Sequence, residues 1–390
     1  MTRRPPAVLL FLTSIVGVSA TSLITSSLPD IVAAFDVPDS AAGLVLGAST
    51  VPGIVLALVV GLAADRFGRK VLLVGSLLLF GAAGLASAFA PTFGVFLALR
   101  ALQGAGSSAL LNLTATVIGD HWSGTDRATM IGRNTAFVTV SIAILPTIGG
   151  VLTDTLGFRG PFYPFALAIP LGLAIAWRVP ETELPPSGRF GEQLARAWRF
   201  VTTPRMLTIA ATGVAVFVLL FGAELTVAPF HAEGVFGLSA SARGLLLGVP
   251  AITATVVATV LGRLIGRFGR PRLVVAGALV YGTAFAVMGV APAVWVFVLA
   301  LLLVGSAEGF TIPVLQESTL AGAATENRGI AVAVFGSAAR FGQSLGPAIA
   351  GLALVSVSTV TAFFGFALGA FVLAGFIWSV RGRFDVVEAD

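Results

Sequence analysis

The stretch GLAADRFGRKVLL, Gly61 to Leu73, sets four charged residues between two long apolar runs. The chain of 390 residues is 57% hydrophobic and only 11% charged, and its mean hydropathy is +1.00. A soluble domain needs about a quarter of its residues charged to cover its surface. Apolar runs of about 18 or more residues recur along the chain, and each predicts a membrane span. The charged stretch is therefore a loop between two spans.

Twelve spans are predicted in all, which makes the chain an all-α integral membrane protein. Because the number is even, both termini lie on the same side of the membrane. The predicted spans are residues 7–28, 41–64, 71–90, 93–117, 132–154, 160–178, 206–229, 242–264, 273–291, 293–316, 330–354 and 358–380.

The placement of basic residues predicts the orientation. Nineteen of the 23 Lys and Arg residues fall in alternate loops and at the two ends, whereas the opposite loops hold only Arg159 and Arg243. By the positive-inside rule the first set is cytoplasmic, so we expect a plasma (inner) membrane protein with both termini inside. The net charge of +5 thus reflects topology and not a nucleic-acid-binding face. A cleaved signal peptide at the N-terminus is the alternative, but an internal counterpart near residue 210 favours a retained helix.

The two halves of the chain repeat each other. DRFGRK at Asp65 and GRFGRP at Gly266 lie 201 residues apart, and Pro146 and Pro347 keep that offset. Six spans per half predict a parallel repeat about an axis along the membrane normal, with a substrate site between the halves. We predict two six-helix bundles, at 1–178 and 205–390, joined by a cytoplasmic linker at 179–204 that holds a short amphipathic helix.

These motifs resemble those of a known family. The first loop matches the pattern G-x-x-x-D-R-x-G-R-K/R of the major facilitator superfamily through Gly61, Asp65, Arg66, Gly68, Arg69 and Lys70. Arg100, Gln103, Gly104 and Gly106 resemble the fourth-span motif R-x-x-Q-G-x-G of its drug–proton antiporters. The resemblance covers essentially the whole chain and implies a secondary transporter that works by alternating access.

The helix-bend motif of the antiporters is G-x-x-x-G-P-x-x-G-G, and span five matches it in part. Pro146, Gly149 and Gly150 are present, but Ser141 and Leu145 stand at the two earlier glycine positions. Span eleven carries the better version, with Gly342, Gly346, Pro347 and Gly351. The departure in span five keeps functions other than drug efflux open.

Four ionisable residues lie inside predicted spans, where charge is costly and usually functional. Glu308 in span ten and Glu224 in span seven are candidate proton or substrate carriers, since a carboxyl group can load and release a proton as its surroundings change. Arg100 in span four is a fixed charge, or it reaches the outer boundary. Arg340 in span eleven is a candidate counter-ion of Glu308, and a static ion pair of Glu308 with either arginine is the structural alternative.

Polar uncharged residues complete the candidate site. Gln103 lies one turn from Arg100 and shares its helix face. Gln103, Asn112 and Gln343 could orient a polar substrate or make hydrogen bonds between helices, and the sequence does not separate these roles.

The charged loop itself is interpreted as a gating device. Asp65 can stabilise the N-terminal end of a neighbouring helix, which the resemblance identifies as span eleven, and Arg69 can pair with Asp120 at the end of span four. A topology signal alone and binding of acidic lipids are the alternatives. Gly266 stands at the place of Asp65 in the second half, which predicts a weaker contact there.

The sequence also argues against several function classes. It has no Cys, no phosphate-binding G-x-x-x-x-G-K-[ST] loop and only two histidines, so we predict no cofactor and no metal. A channel or a membrane enzyme is disfavoured, because no catalytic constellation accompanies the repeat. We predict a monomeric transporter whose partners are a small molecule, protons and the lipid bilayer. Proton-coupled efflux of small lipophilic or cationic compounds is favoured over export of a metabolite such as a sugar or siderophore, and over proton symport.

Overall fold

The computed structural model describes residues 4–181, 199, 201–321 and 328–384. Side chains at 55, 57–62, 65, 328–330 and 333 are outside this description. The linker helix predicted within 179–204 falls almost wholly outside the described residues.

Twelve long helical segments occupy the described part of the chain, and each overlaps one predicted span. We number them α1 (Ala7–Ala34), α2 (Ala42–Phe67), α3 (Arg69–Ser87), α4 (Phe93–His121), α5 (Gly124–Leu156), α6 (Gly160–Arg178), α7 (Pro204–Phe236), α8 (Ala240–Phe268), α9 (Arg270–Val290), α10 (Val294–Ala321), α11 (Arg328–Ser356) and α12 (Thr359–Ser379).

Most helices extend beyond the apolar stretch that predicted them. The largest difference is at α5, which begins at Gly124 instead of the predicted residue 132. Its first ten residues, GTDRATMIGR, carry charge and are helical all the same, because a helix can leave the membrane without ending. Among the described residues, ten of the twelve segments are long and apolar enough to cross a membrane. The other two, α2 and α11, are those with undescribed side chains.

Four segments depart from regular α-helix. α1 is interrupted after Ser22 by a 3₁₀ turn at Thr25–Ser27, and α6 begins with 3₁₀ turns at Gly160–Leu167. α7 contains π-helical turns at Leu220–Val227, and α8 is broken at Val249 before Pro250. Such breaks are tolerated in membrane helices where neighbouring groups satisfy the freed backbone.

The repeat is visible in the backbone itself. α2 ends at Phe67 and α3 begins at Arg69, and between them Gly68 has φ of +96°. α8 ends at Phe268 and α9 begins at Arg270, around Gly269 with φ of +77°. These positions are 201 residues apart, which is the offset of the sequence motifs. Both loops need glycine for the same left-handed turn.

The chain divides into two compact units. The first comprises Met1–Ser187 and Ser239–Leu245, and the second comprises Gly188–Leu238 and Leu246–Asp390. The units follow the predicted halves except at 239–245, the beginning of α8, which belongs with the first unit. The second unit is built around a core of buried aliphatic and aromatic residues from α7, α9, α10 and α12.

Candidate functional site

Glu224 lies in the π-helical turns of α7, within the second unit. Its side chain is 3% exposed, and its Oε2 atom has no hydrogen-bond partner among the described residues. π-helical turns are rare and frequently occur at functional sites. The wider turn rotates the side chains that follow it relative to those of a regular α-helix. The sequence predicts Glu224 as a candidate but contains no signal for this backbone.

Glu308, on α10, is the neighbour of Glu224. Its side chain is partly exposed, and the two carboxyl groups are close enough to interact with each other. The structure thus brings together two of the predicted carriers, and it does so between helices of the same unit. We call Glu224 and Glu308 the acidic pair.

Arg340 and Asn112 are two further candidates from the sequence. Arg340 on α11 is partly buried and belongs to the second unit, and its pairing with Glu308 stays a prediction. Asn112 on α4 is exposed, and its backbone carbonyl accepts a hydrogen bond of 2.9 Å from Thr116 Oγ1.

Arg100 is fully buried in the first unit. Its Nη1 donates to Oε1 of Gln103, and its Nη2 donates to the carbonyl oxygen of Ala20 at 2.6 Å. Among the described residues it makes no ion pair with an acid. The alternative in which Arg100 reaches the membrane boundary is therefore wrong, because the guanidinium is enclosed by α1 and α4.

The break in α1 explains why the Ala20 carbonyl is available. At Ile24 the backbone N–H donates to the carbonyl of Thr21, three residues back, as the helix tightens toward its 3₁₀ turn. A carbonyl left over at such a change of helix type needs another donor. The Arg100 guanidinium supplies that donor, so a side chain from α4 satisfies a backbone carbonyl of α1.

The first charged loop contains the pair that the sequence predicted. Arg69 forms an ion pair with Asp120, and their side chains are 10% and 20% exposed. Arg66 is exposed and Lys70 is partly buried. The side chain of Asp65 lies outside this description, as does the burial of Gly61, so the proposed contact of Asp65 with a helix end stays a prediction.

The second charged loop holds an equivalent pair. Arg270, 201 residues after Arg69, pairs with Glu317 on α10, with Nη2 2.7 Å from Oε1. Their side chains are 27% and 42% exposed, more than in the first pair. The second loop therefore lacks the acid of the first at Gly266 but retains an arginine–carboxylate pair beside it.

The helix-bend residues of α5 are places of close backbone approach. A methyl group on Gly149 would overlap the Leu23 carbonyl in α1, and one on Gly150 would overlap the Ala240 carbonyl at the start of α8. The Pro146 carbonyl accepts a hydrogen bond from Ser26 Oγ at 2.8 Å. These residues let α1 and the first turn of α8 pack directly on α5 within the first unit.

The corresponding residues of α11 pack on α7 within the second unit. A methyl group on Gly346 would lie 2.7 Å from the Val218 carbonyl oxygen and 2.9 Å from the Gly222 nitrogen. Pro347 is buried beside it. The contact therefore adjoins the π-helical turns that hold Glu224.

Arg243 was assigned from sequence to an outer loop, and that assignment is wrong. It lies in the first helical turns of α8, is 2% exposed, and forms an ion pair with Asp30 at the end of α1. Asp154 at the end of α5 accepts from the backbone N–H groups of Ala240 and Ser241, each at 3.0 Å. Sequence patterns did not indicate these contacts, because the partners are 86 to 213 residues apart.

The amino-acid sequence matches the model of a known protein family over both halves of the chain. The model of the major facilitator superfamily matches the chain over residues 10–258 and again over 225–386. The chain belongs to the major facilitator superfamily. It is a multi-pass membrane transporter and not an enzyme, as the twelve spans and the repeat predicted.

Curated relatives of this superfamily member include exporters. It is 30% identical over 217 residues to a chloramphenicol resistance protein of Pseudomonas aeruginosa, which is 55% of this chain and 51% of that protein. It is 33% identical over 129 residues to citrate exporter 1 of Aspergillus niger, which is 33% of this chain and 25% of that protein. The matched part thus spans a quarter to half of the length of these relatives.

Solved structures of the superfamily share its fold. A bacterial homologue of the human lysosomal transporter Spinster, inward-facing and unoccupied, superposes with a TM-score of 0.77 at 16% identity, over 97% of this chain and 95% of that one. A D-xylose–proton symporter superposes with a TM-score of 0.77 at 17% identity, over 95% and 96%. At these identities the likeness establishes the fold alone.

Proposed function

We propose that this transporter couples the export of small lipophilic or cationic compounds to the entry of protons. The observation that carries the proposal is the acidic pair, two carboxyl groups from α7 and α10 that meet in the interior of the second unit. Acids inside a membrane protein are costly and are retained where they serve ion or substrate movement.

The chemistry of such a pair suits proton coupling. Two carboxylates side by side in a medium of low dielectric constant repel strongly, so the pair is stable with a proton and costly without one. Glu308 keeps some exposed surface while Glu224 is enclosed. Glu308 is thus the member through which a proton can be exchanged, and Glu224 is the neighbour that makes full ionisation unfavourable.

Competition at the pair supplies the coupling. A cation brought next to Glu308 stabilises its ionised form and displaces the proton, whereas a proton displaces the cation. One group that holds either the proton or the substrate, but not both, exchanges them across the membrane. Apolar surface around it accommodates lipophilic compounds with little discrimination of shape.

The relatives lend support to export. The chloramphenicol resistance protein of P. aeruginosa and the citrate exporter of A. niger are both named for outward movement or for resistance. We further propose a monomer in the plasma membrane with both termini in the cytoplasm, and a gating role for the loop around Asp65.

Export of an organic anion is the second candidate. The observation in its favour is Arg100, a buried guanidinium that has no acid among its described partners. The match to a citrate exporter, although it covers a quarter of that protein, is to a carrier of a carboxylate substrate. In this alternative Arg100 attracts the anion and the acidic pair still carries protons.

The test uses the full chain reconstituted in liposomes with an imposed pH gradient. Tetraphenylphosphonium, chloramphenicol and citrate represent the cationic, neutral and anionic classes. We expect tetraphenylphosphonium to accumulate with the gradient and to dissipate it, and we expect Glu308→Gln to abolish accumulation while exchange of labelled for unlabelled compound continues. Accumulation of citrate alone would favour the second candidate.

Glu233→Gln is the matched control. Glu233 lies in the same helix as Glu224, nine residues on, and its side chain is exposed. Gradient-driven uptake should be unchanged in this variant. Undiminished uptake in both Glu224→Gln and Glu308→Gln would remove the acidic pair from the mechanism.

A further inference from the structure

Two exposed tryptophans lie at the ends of α6 and α12. Trp177 stands one residue before the end of α6 and is 83% exposed, and Trp378 stands one residue before the end of α12 and is 51% exposed. They are 201 residues apart, which is the offset of the repeat. Tryptophan is enriched where a membrane span reaches the lipid headgroups, because its ring is apolar and its N–H is polar. Both helices end on the side predicted to be cytoplasmic, since an even number of spans precedes each end.

An arginine lies over each of the two rings. The guanidinium carbon of Arg178 is 5.7 Å from the centroid of the Trp177 ring, and that of Arg381 is 4.3 Å from the centroid of the Trp378 ring. Both separations are within the range of an attractive cation–π contact. Both arginines are exposed, and neither forms an ion pair with an acid in the described part of the chain. Each half therefore presents a tryptophan–arginine pair at the end of its last helix.

The pair at α12 is positioned by a turn of its own. A 3₁₀ turn at Arg381–Arg383 follows the helix, and the Phe384 N–H donates to the Arg381 carbonyl at 3.1 Å. The Phe384 side chain is fully buried in the core of the second unit. Nη1 of Arg383 donates to Thr208 Oγ1 of α7 at 3.1 Å. The turn is therefore anchored to the second unit, and it places Arg381 against the tryptophan ring.

An exposed aromatic stripe continues from this ring along α12. Phe364, Phe371 and Trp378 recur every seven residues and are 44%, 41% and 51% exposed. Residues seven apart fall on one face of a helix. From Phe364 to Trp378 the stripe runs about 21 Å, which exceeds half of the hydrocarbon core of about 30 Å. The stripe is thus long enough to lie against one acyl chain of a single leaflet.

We propose that Trp378 and Arg381 form a binding site for an anionic phospholipid, with the phosphate on the guanidinium and an acyl chain along the aromatic stripe of α12. A guanidinium presents five N–H donors in a planar fork that matches a phosphate, and the cation–π contact with the ring does not use these donors. Arg383 is also exposed and adds a second positive charge beside the site. A lipid with a net negative charge is therefore favoured over a zwitterionic one, whose own cation is repelled.

The pair on α6 is a weaker site of the same kind. Its guanidinium is farther from the ring, and the chain continues from α6 in extended form at Val179, so no turn positions Arg178. Leu173, one helical turn before Trp177, is 58% exposed and supplies the apolar surface there. Neither site depends on which compound is transported.

Native mass spectrometry of the purified full chain tests the α12 site by titration with phosphatidylglycerol and with phosphatidylcholine of the same acyl chains. We expect the wild-type chain to bind phosphatidylglycerol more tightly. Arg381→Gln and Trp378→Leu should each weaken that binding by about fivefold. Arg381→Lys should also weaken it, because lysine keeps the charge but loses the fork. Equal binding of the two lipids, or full affinity in Arg381→Gln, would overturn the proposal.

Free phosphate is the competing source of the same chemistry. An excess of inorganic phosphate should leave phosphatidylglycerol bound, because the free ion makes no use of the aromatic stripe. Complete displacement would show an anion site without lipid recognition and would also overturn the proposal. If Trp378→Leu does not fold, Arg381→Gln and Arg381→Lys decide the question, since the Arg381 side chain is exposed.

Two matched controls separate the site from general membrane anchoring. Trp295, at the start of α10 on the opposite predicted side, is 66% exposed and has no arginine over its ring among the residues that the structure describes. Arg263, near the end of α8, is exposed and lies over no aromatic ring in the same part of the chain. Trp295→Leu and Arg263→Gln should leave the affinity for phosphatidylglycerol unchanged. An equal loss in Arg263→Gln and Arg381→Gln would mean that net charge alone retains the lipid, which would refute the site.

Discussion

Asp154 caps the first turn of α8 by accepting the backbone N–H of Ser241 at 3.0 Å, and its second oxygen accepts the N–H of Ala240 at the same distance. The first N–H groups of a helix have no partner within the helix, and an acidic side chain at this end also meets the positive end of the helix dipole. Asp154 therefore fixes Ser239–Leu245 within the first unit from outside the helix.

We expect Asp154→Ala to loosen that first turn. Loss of an acidic or hydroxyl cap costs about 1 kcal/mol, which corresponds to about fivefold more frequent opening. Hydrogen exchange followed by mass spectrometry should report faster exchange in peptides covering 240–245. Asp154→Asn, which keeps an oxygen acceptor, should have a smaller effect, and Asp39→Ala, at another exposed acid, should have none. Equal exchange in all three variants would contradict the capping role.

The glycines of α5 give a second prediction. Gly149→Ala and Gly150→Ala place a methyl group on a backbone carbonyl, of Leu23 and of Ala240 respectively. Overpacking of this kind costs about 1–3 kcal/mol, so each variant should lower the thermal unfolding midpoint in detergent. Gly132→Ala is the matched control, since nothing lies within 4 Å of the added methyl in the same helix. Alanine is the better helix former there, and a lowered midpoint in Gly132→Ala would show that the effect is not steric.

A third prediction concerns the shape of the Arg100 side chain. Its planar fork reaches Gln103 and the Ala20 carbonyl at once, whereas the ammonium of lysine is a compact point charge. Arg100→Lys should therefore lower both thermal stability and transport although the charge is kept. Gln103→Leu leaves a buried charged donor without its acceptor and should cost at least about 1–3 kcal/mol. Gln343→Leu, in the other half, is the control. Wild-type behaviour of Arg100→Lys would mean that charge alone suffices.

The two arginine–carboxylate pairs should differ in strength. Arg69 and Asp120 are 10% and 20% exposed, whereas Arg270 and Glu317 are 27% and 42% exposed. Solvent screens the second pair more, and exposed pairs contribute about 0.2–1 kcal/mol. A double-mutant cycle on each pair, read from unfolding midpoints, should give the larger coupling energy for Arg69 and Asp120. A larger coupling in the second pair would refute this assignment from exposure.

Much of the fold follows from the sequence. Apolar runs locate the helices, and the offset of 201 residues locates both glycine turns and both basic loops, because these depend on local composition and on spacing. Glu224, Glu308, Arg100 and Gln103 stand out for an equally local reason, since each is polar within an apolar run.

The partners of these residues do not follow in the same way. No pattern along the chain places Glu224 beside Glu308 or Arg243 on Asp30, because each contact is decided by how distant helices pack. The π-helical turns of α7 lie against α11, where Gly346 closely approaches Gly222, and this contact too joins residues far apart in the sequence.

The π-helical turns at Leu220–Val227 correspond, at the offset of 201, to residues 19–26, where α1 breaks into its 3₁₀ turn. Both halves thus depart from regular α-helix at the same position of the repeat, by a 3₁₀ turn in the first and by π-helical turns in the second. In the first half the Ala20 carbonyl accepts a hydrogen bond from Arg100. In the second half the equivalent Phe221 carbonyl accepts one from Thr226 Oγ1 of the same helix. Leu301 stands in the second half at the position that corresponds to Arg100, 201 residues later. With leucine at that position, the second half holds a buried acid, Glu224, in its irregular turns, whereas the first half holds the buried guanidinium of Arg100 beside its own.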